Sequence, residues 1–352
     1  MNCKSKAEFN MIRSTKKRVI DLAKKAYSQK KRLIAPLVGF PGCDLTGYSI
    51  KVAQQNHGVH FACIKELVDA LHPDVAFMMM DLSVEANALG LPVRFPTDES
   101  STVEKHPIET IAHLDRYRSI NVLYDSRIQS YVKTAEMMRI GLPDEVLVCA
   151  YVTGPLTLAG LLRSAQQVAM DSILDPELLH GLCRFTTGII QEYASALINA
   201  GADLICILEP TAVVLGPDQF RQFSAYYVNH IIESYKYANV ETVYHICGNT
   251  MHLIKEMAAS GVAALSIDSP RAGIDMAKVA QMVPENVLII GNVNPTGIMK
   301  DGTVDEVRQA TAELLEQMKP FSNFILSTGC DLPPGTPLEN LMAFMETGRK
   351  KE

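Results

Sequence analysis

From residue 242 to residue 250 the chain reads Thr242-Val243-Tyr244-His245-Ile246-Cys247-Gly248-Asn249-Thr250. The first six residues are rich in β-branched and aromatic side chains, which favour a strand, and Gly248-Asn249 then breaks the run. Side chains on a strand alternate between its two faces, so His245 and Cys247 point the same way. The stretch predicts a short buried strand that ends in two metal-capable side chains.

Seven other short apolar runs occur along the chain, and like the first they lack the alternation of a half-exposed strand. They lie at residues 33–40, 75–80, 146–152, 204–208, 262–267, 287–293 and 324–327. Amphipathic stretches separate them, and several of these have helix-start signals, at Asp175-Pro176, Pro217-Asp218, Asn249-Thr250, the Thr303-x-x-Glu306 capping box and Pro337. Eight strands that alternate with helices predict a single α/β domain of the (β/α)8 or TIM-barrel type. The alternative is an open doubly wound sheet, but no Gly-x-Gly-x-x-Gly follows the first run.

The predicted domain boundaries follow from the same reading. Residues 1–31 are rich in Lys and Arg and predict an N-terminal helical extension, and residues 32–352 form the barrel. The connection between the second and third strands, residues 82–145, is long. We expect it to form an extra lobe, with a loop at residues 91–102 and a helix at residues 126–140.

Composition excludes several classes of function. The chain has 352 residues, 47% of them hydrophobic and 20% charged, which is typical of a globular protein with a sizeable core. A net charge of −6 without a basic stripe argues against nucleic acid or an anionic membrane as a partner. The basic N-terminus is not followed by an apolar core, and no run of eighteen apolar residues occurs, so we expect a cytoplasmic location. The eight cysteines include no Cys-x-x-Cys and are expected to be thiols.

Polar residues with chemical capacity follow the predicted strands. In a TIM barrel the carboxyl ends of the strands meet at one face, and active sites form there. The candidates at that face are Asp81, Glu209, Tyr244, His245, Cys247, Asp268, Asn292, Asn294 and Cys330.

Three of these candidates predict a zinc site. Taken alone, His245 could be a core histidine, but His245-x-Cys247 at a strand end, with Cys330 at the end of the last strand, forms a set of zinc ligands. Three protein ligands leave a fourth position open, as in catalytic zinc sites. Two thiolates make the metal a weaker Lewis acid but leave a bound thiolate electron-rich, which suits activation of a thiol for alkyl transfer.

The remaining candidates have less specific interpretations. Glu209 could cap the next helix, or serve as fourth ligand, proton carrier or substrate contact, and Asp81 could simply bond to nearby loop amides. The other members of the candidate set are predicted to contact the substrate, namely Tyr244, Asp268, Asn292 and Asn294.

Several motifs together resemble the uroporphyrinogen decarboxylase superfamily, and within it the corrinoid-linked methyltransferases. They lie at residues 80–90, 153–159, 245–249, 291–295 and 329–340, so the resemblance covers nearly all of the chain after residue 30. The resemblance implies zinc at His245, Cys247 and Cys330. It also implies methyl transfer between a corrinoid (cobalamin) on a separate protein and a small substrate, either to a thiol such as coenzyme M or from a methyl ether. Glu209 and Asp81 would then position the substrate or handle a proton.

Two alternatives stay open at this point. A decarboxylase of the same superfamily fits less well, because it carries arginines after the first strand, where this chain reads Leu37-Val38-Gly39-Phe40-Pro41-Gly42-Cys43-Asp44. The other alternative is that the barrel binds a metal without catalysing a reaction. The chain has no Asp-x-His-x-x-Gly segment of the usual cobalamin module, so the corrinoid would have to come on a transient partner protein. A sulfonate substrate would need cations, and the nearest by position are Arg94, Arg163 and Arg271.

Overall fold

A curled sheet of seven parallel strands forms the centre of the protein. The computed structural model describes residues 19–350. In chain order its strands are β1 (Val75–Phe77), β2 (Val93–Arg94), β3 (Thr102–Val103), β4 (Leu147–Thr153), β5 (Leu204–Leu208), β6 (Glu241–Ile246), β7 (Ala264–Ile267), β8 (Leu288–Val293) and β9 (Phe324–Thr328). The sheet runs β1-β4-β5-β6-β7-β8-β9, and β2 and β3 pair separately as an antiparallel ribbon. All seven strands of the sheet are buried, apart from the partly exposed first residue of β6.

The eighth side of the barrel is an extended segment rather than the strand predicted at residues 33–40. Ile34 forms one parallel bridge with Leu326 of β9, and its carbonyl accepts a hydrogen bond of 2.9 Å from the amide of Asp74, just before β1. The segment therefore lies between β9 and β1 and closes the ring, so the predicted TIM-barrel fold is confirmed. Pro36 has no amide hydrogen to extend the ladder, and Pro41 starts a helix, which explains why the strand is so short.

Helices cover the outside of the barrel. They are α1 (Val19–Ser28), α2 (Pro41–Thr46), α3 (Ile50–Ala53), α4 (His57–Leu71), α5 (Val84–Ala88), α6 (Ser126–Gly141), α7 (Pro155–Arg163), α8 (Ala165–Leu174), α9 (Pro176–Ala200), α10 (Pro217–Phe220), α11 (Tyr226–Ser234), α12 (Ile254–Ala259), α13 (Met276–Met282), α14 (Val304–Met318) and α15 (Leu338–Gly348). A π-helical turn, Arg221–Ala225, joins α10 to α11. None of the helices between residues 19 and 350 is long and apolar enough to cross a membrane.

The capping signals predicted most helix ends correctly. The side chain of Asp175 accepts a hydrogen bond from the amide of Leu178, and Gly201, at φ +112°, ends the same helix, α9. Both hydrogen bonds of the capping box at Thr303 and Glu306 are present at the start of α14. Pro337 precedes α15 as expected.

Two local predictions were wrong. The helix expected after Asn249-Thr250 begins later, at Ile254, because residues 250–253 form turns first. The segment at residues 91–102, which was expected to be a loop, contains the short strand β2 and the first residue of β3.

The helix expected at residues 126–140 is confirmed as α6. Helix α1 lies within the predicted N-terminal extension, whose residues 1–18 fall outside the described part of the chain.

Candidate metal centre

Three side chains from the ends of β6 and β9 meet at one end of the barrel. The Nε2 atom of His245 lies 3.1 Å from the Sγ atom of Cys247 and 3.6 Å from that of Cys330. The two sulfur atoms are 3.4 Å apart, and both cysteines are free thiols. Within residues 19–350 this is the one group of His, Cys, Asp and Glu side chains whose ligand atoms lie close enough together to hold an ion.

The spacing of these three atoms fits a tetrahedral metal ion. Bond lengths of about 2.3 Å to sulfur and about 2.0 Å to nitrogen place tetrahedral ligand atoms about 3.8 Å apart for two sulfurs and about 3.6 Å apart for sulfur and nitrogen. The 3.6 Å between Nε2 of His245 and Sγ of Cys330 equals the tetrahedral value, whereas the 3.4 Å between the two sulfurs and the 3.1 Å between Nε2 and Sγ of Cys247 are about 0.4–0.5 Å shorter, so small shifts would admit the ion. An imidazole and two thiols therefore form three corners of a site that suits a borderline-soft ion such as zinc, with the fourth corner open.

A residue on the neighbouring strand β7 holds the imidazole ring of His245 in its orientation. His245 pairs with Ser266 of β7, and the Nδ1 atom of His245 lies 3.0 Å from the hydroxyl oxygen of Ser266. This contact turns the other ring nitrogen towards the two thiols. Burial alone would lower the pKa of His245, but the hydrogen bond and charge of Cys330 and the charge of Asp268 outweigh it and raise the pKa.

Asp268 supports the loop that carries Cys247. Its carboxylate accepts hydrogen bonds from the amides of Gly248, at 2.6 Å, and Ser269, at 2.5 Å. Its backbone carbonyl accepts a bond of 2.8 Å from the side chain of Asn292. Two residues predicted as substrate contacts, Asp268 and Asn292, are thus linked directly to each other beside the three ligand candidates.

Glu209 lies outside the three-residue group. Its carboxylate accepts hydrogen bonds from the amides of Thr157, at 2.5 Å, and Leu156, at 3.4 Å, in the first turn of α7. Burial raises the pKa of Glu209 to about 7, although the bonds to Thr157 and Leu156 oppose the shift. The carboxylate therefore caps α7, which precedes Glu209 in the chain. The expectation that Glu209 caps the next helix was wrong, because its side chain makes no capping bond to the helical turn Pro210–Val214 that follows it.

Asp81 also lies outside the group, in a buried polar cluster. It forms an ion pair with Arg127 and accepts hydrogen bonds from the hydroxyls of Tyr131, Ser83 and Ser101 at 2.8–2.9 Å. The side chains of Asp81 and Arg127 are 1% and 5% exposed. The predicted catalytic aspartate is therefore surrounded by protein donors.

Tyr244 and Asn294 have their hydrogen-bond partners away from the three ligand candidates. Tyr244 precedes His245 on β6 and so points to the opposite face of the strand, where its hydroxyl lies 2.5 Å from that of Ser224 in the outer helical layer. The side-chain oxygen of Asn294 accepts hydrogen bonds from the amides of Thr296 and Gly297, both at 3.1 Å, and so stabilises its own turn.

Comparison with known proteins assigns the chain to a family. The family model described as uroporphyrinogen decarboxylase (URO-D) matches residues 43–351, most of the chain. The protein belongs to the uroporphyrinogen decarboxylase family.

Its relatives within the family have two kinds of names. The methylcobamide:CoM methyltransferase MtbA of Methanosarcina mazei is 27% identical over 291 residues, 81% of this chain and 83% of that protein. The uroporphyrinogen decarboxylase of Prochlorococcus marinus (strain MIT 9312) is 24% identical over 311 residues, 86% of this chain and 87% of that protein. The solved structure of a methyltransferase from Methanosarcina mazei has a TM-score of 0.81 with 24% identity, and covers 92% of this chain and 97% of that one, which supports the fold.

This member of the uroporphyrinogen decarboxylase family has three polar residues near the centre that the candidate set did not include. Ser266 orients the histidine, whereas Asp331 and Tyr151 have buried polar atoms that form no hydrogen bond within residues 19–350. Burial raises the pKa of Tyr151 well above its usual value, and the charges of Asp331 and of the thiols of Cys206, Cys149 and Cys330 act in the same direction. Asp331 directly follows Cys330, a position that was a usable signal, whereas Tyr151 is hidden within an apolar run.

Proposed function

We propose that the protein is a zinc-dependent methyltransferase that moves a methyl group from a corrinoid, carried by a partner protein, to a small thiol. The observation that supports this most directly is the group of one imidazole and two thiols at the end of the barrel. The name of the relative from Methanosarcina mazei, a methylcobamide:CoM methyltransferase, points to the same reaction.

The donor set favours a thiol as the acceptor. Zinc held by His245, Cys247 and Cys330 would lower the pKa of a thiol at the fourth corner and leave the resulting thiolate nucleophilic, because two cysteine ligands add electron density. The thiol sulfur would then accept the methyl group of the partner's corrinoid: a sulfur–carbon bond would form, the carbon–cobalt bond would break with both electrons left on the corrinoid, and the thiol proton would pass to solvent.

The residues of the chain would hold this arrangement in place. Ser266 keeps Nδ1 of His245 engaged so that Nε2 faces the site, and Asp268 fixes the turn after Cys247. His245 is 1% exposed, whereas both cysteines are partly accessible. The accessible side of the centre is therefore the side of the sulfur atoms, where a thiol and a partner-bound corrinoid would approach.

Metal analysis of matched cysteine variants tests the proposal. We expect close to one zinc per chain in the wild type, and loss of that zinc in Cys247→Ala and Cys330→Ala. Cys206→Ala is the control, because Cys206 is also a free thiol but is not among the three grouped residues. Equal zinc in all four proteins, or none in the wild type, would remove the proposed site.

Turnover decides the reaction and its direction. We expect wild-type protein with methylcobalamin to methylate small thiols, and the two zinc-free variants to lose this activity. Methylation of cobalamin(I) by a methyl ether, without methylation of any thiol, would reverse the proposed direction. Carbon dioxide release from uroporphyrinogen would favour the decarboxylase alternative.

A further inference from the structure

A groove in the outer helical layer, between α9 and α11, lies outside the metal centre. Its volume is about 610 Å³, within the range of roughly 300–1,000 Å³ that is usual for small-molecule sites. Its walls come from one face of α9, from the π-helical turn and from α11. Turns of π-helix are uncommon and occur frequently at functional sites. The groove shares no residue with the three ligand candidates, so it is a separate candidate site.

A glycine keeps the α9 side of this groove open. Gly188 lines the groove together with His180, Arg184 and Gln191, which follow one another on the same face of the helix. In the described part of the chain, a Cβ atom added at Gly188 would meet no atom within 4 Å apart from its chain neighbours and the backbone of its own helix. A larger side chain at this position would fill the space that a ligand needs.

The charge of the groove is positive. Its lining includes Arg184 and Arg221 and no aspartate or glutamate side chain. Arg221 is already paired with Asp218 and Glu256. Arg184 is exposed and forms no ion pair with a carboxylate between residues 19 and 350. Its guanidinium group is therefore available to an anion.

Arg184 lies beside a tyrosine–histidine pair that joins the two walls. The Nδ1 atom of His180 on α9 is 2.8 Å from the hydroxyl oxygen of Tyr227 on α11. Burial and the thiol of Cys183 raise the pKa of Tyr227 to about 12, although the charge and the hydrogen bond of Arg184 oppose the shift. Burial also lowers the pKa of His180, and the charge of Arg184 acts in the same direction. Both effects place the guanidinium group next to this pair, within the groove.

Tyr226 provides an aromatic surface in the same groove. Its side chain lines the groove and is 54% exposed. Its ring lies edge-to-face with the rings of Tyr227 and His230, with centroids 5.1 and 4.6 Å apart. These neighbours hold the ring in position, and its exposed part can stack against a planar ligand.

We propose that the groove between α9 and α11 binds a nucleotide, with the phosphate at Arg184 and the base against Tyr226. A guanidinium group matches the geometry of a phosphate and binds it through charge-assisted hydrogen bonds. Free phosphate would leave the aromatic surface uncovered, and a neutral aromatic molecule would leave Arg184 unpaired. A ligand with both groups fits the groove best, and its binding is independent of the proposed methyl transfer.

Calorimetric titration of the purified protein with adenosine 5′-monophosphate (AMP), adenosine and ribose 5-phosphate tests the proposal. Because AMP contains both groups and each of the others lacks one, its dissociation constant should be lower than either by roughly tenfold or more. Ribose 5-phosphate that binds as tightly as AMP would mean a general anion site and overturn the proposal. Adenosine that binds as tightly as AMP, or no binding of AMP, would overturn it as well.

Variants of the two contact residues separate the phosphate from the base. Arg184→Gln should raise the dissociation constants of AMP and ribose 5-phosphate about tenfold and leave that of adenosine unchanged. Tyr226→Ala should raise those of AMP and adenosine about tenfold and leave that of ribose 5-phosphate unchanged. Arg308→Gln is the control, because Arg308 is also an exposed helical arginine but lies on α14, outside the groove. Equal losses in Arg184→Gln and Arg308→Gln would show unspecific attraction to surface charge and overturn the proposal.

Filling the groove tests its location without removal of a polar group. Gly188→Met places a long side chain in the open space and should abolish measurable binding of AMP, whereas Gly188→Ala should weaken it less. Circular dichroism shows whether the variant is folded, and its zinc content should match that of the wild type, because the metal centre is elsewhere. Unchanged AMP binding by folded Gly188→Met would place the nucleotide outside this groove and overturn the proposal.

Discussion

The Nδ1 atom of His245 on β6 lies 3.0 Å from the hydroxyl oxygen of Ser266, its paired residue on β7. Both side chains are fully buried or nearly so, at 1% and 0% exposed. Because Ser266 occupies one ring nitrogen, the other is directed at the sulfur atoms of Cys247 and Cys330. The orientation of one ligand candidate is thus determined by strand pairing, a feature of the scaffold rather than of the loops.

Replacement of Ser266 by alanine should weaken metal binding without removing any ligand. Loss of a hydrogen bond to a ligating histidine commonly lowers metal affinity by about 10–100-fold, because the ring is no longer held in position. We expect Ser266→Ala to lower zinc affinity within that range, measured by competition with a chromogenic chelator. Ser327→Ala is the control, because Ser327 is equally buried but donates to the carbonyl of Ala35. Equal affinities in the two variants would contradict an orienting role for Ser266.

The three ligand candidates could be found from sequence because barrel topology relates distant positions. Residues that end parallel strands meet at one face, so His245, Cys247 and Cys330 were predicted to converge from their places after apolar runs. The alternation of strand side chains also separates Tyr244 from His245, a signal that the candidate set did not use. Ser266 could not be predicted in this way, because the sequences of β6 and β7 do not reveal which residue of one strand pairs with which residue of the other.

Glu209 and Asp81 bind partners that their positions at strand ends do not indicate. Carboxylates near strand ends lie beside the first turns of neighbouring helices, whose free amides bind them. Glu209 binds amides of α7, which precedes it in the chain, so the sequence after Glu209 held no sign of this contact. Asp81 meets Arg127 from the long connection after β1, where sequence spacing gives no information on packing.

Two glycine-to-alanine substitutions should have opposite effects on stability. Gly188 lies in the middle of α9, and in the described part of the chain a Cβ atom there would meet no atom within 4 Å apart from the neighbouring backbone of its own helix. Gly188→Ala should therefore raise the free energy of unfolding by about 0.5–1 kcal/mol through helix propensity. At Gly154 the added atom would overlap the carboxylate of Glu209, so Gly154→Ala should lower the free energy of unfolding. Urea unfolding of both variants beside the wild type checks the signs, and a loss of stability in Gly188→Ala would mean that the space beside it is not open.

Glu85 should make stability fall as the pH rises through the weakly acidic range. Burial raises the pKa of Glu85 from 4.5 to about 7, although hydrogen bonds from Thr153 oppose the shift. Between pH 4.5 and 7 the folded protein holds this proton more tightly than the unfolded chain, so deprotonation favours unfolding. The full effect is about 3 kcal/mol, at about 1.4 kcal/mol for each pH unit.

Glu85→Gln should remove this pH dependence. Its free energy of unfolding relative to the wild type should increase from pH 5 to pH 8 in urea titrations. Glu306→Gln is the control, because Glu306 is exposed in the capping box and its pKa is lowered, so the difference from wild type should stay constant over that range. A constant difference for Glu85→Gln as well would show that Glu85 is ionised throughout.

Removal of Arg127, the ion-pair partner of Asp81, should destabilise the fold strongly. Arg127→Met leaves a carboxylate that is 1% exposed without its ion-pair partner, and such a change typically costs about 3–5 kcal/mol. The double variant Asp81→Asn with Arg127→Met removes both charges, so it should lose less stability than Arg127→Met alone.

Thermal unfolding of these variants and of Asp81→Asn, together with methyl-transfer rates for Asp81→Asn, distinguishes a structural from a catalytic role of Asp81. A normal melting temperature with a large fall in kcat in Asp81→Asn would support the catalytic role predicted from the sequence. Lowered stability with a conserved rate per folded molecule would support the structural role.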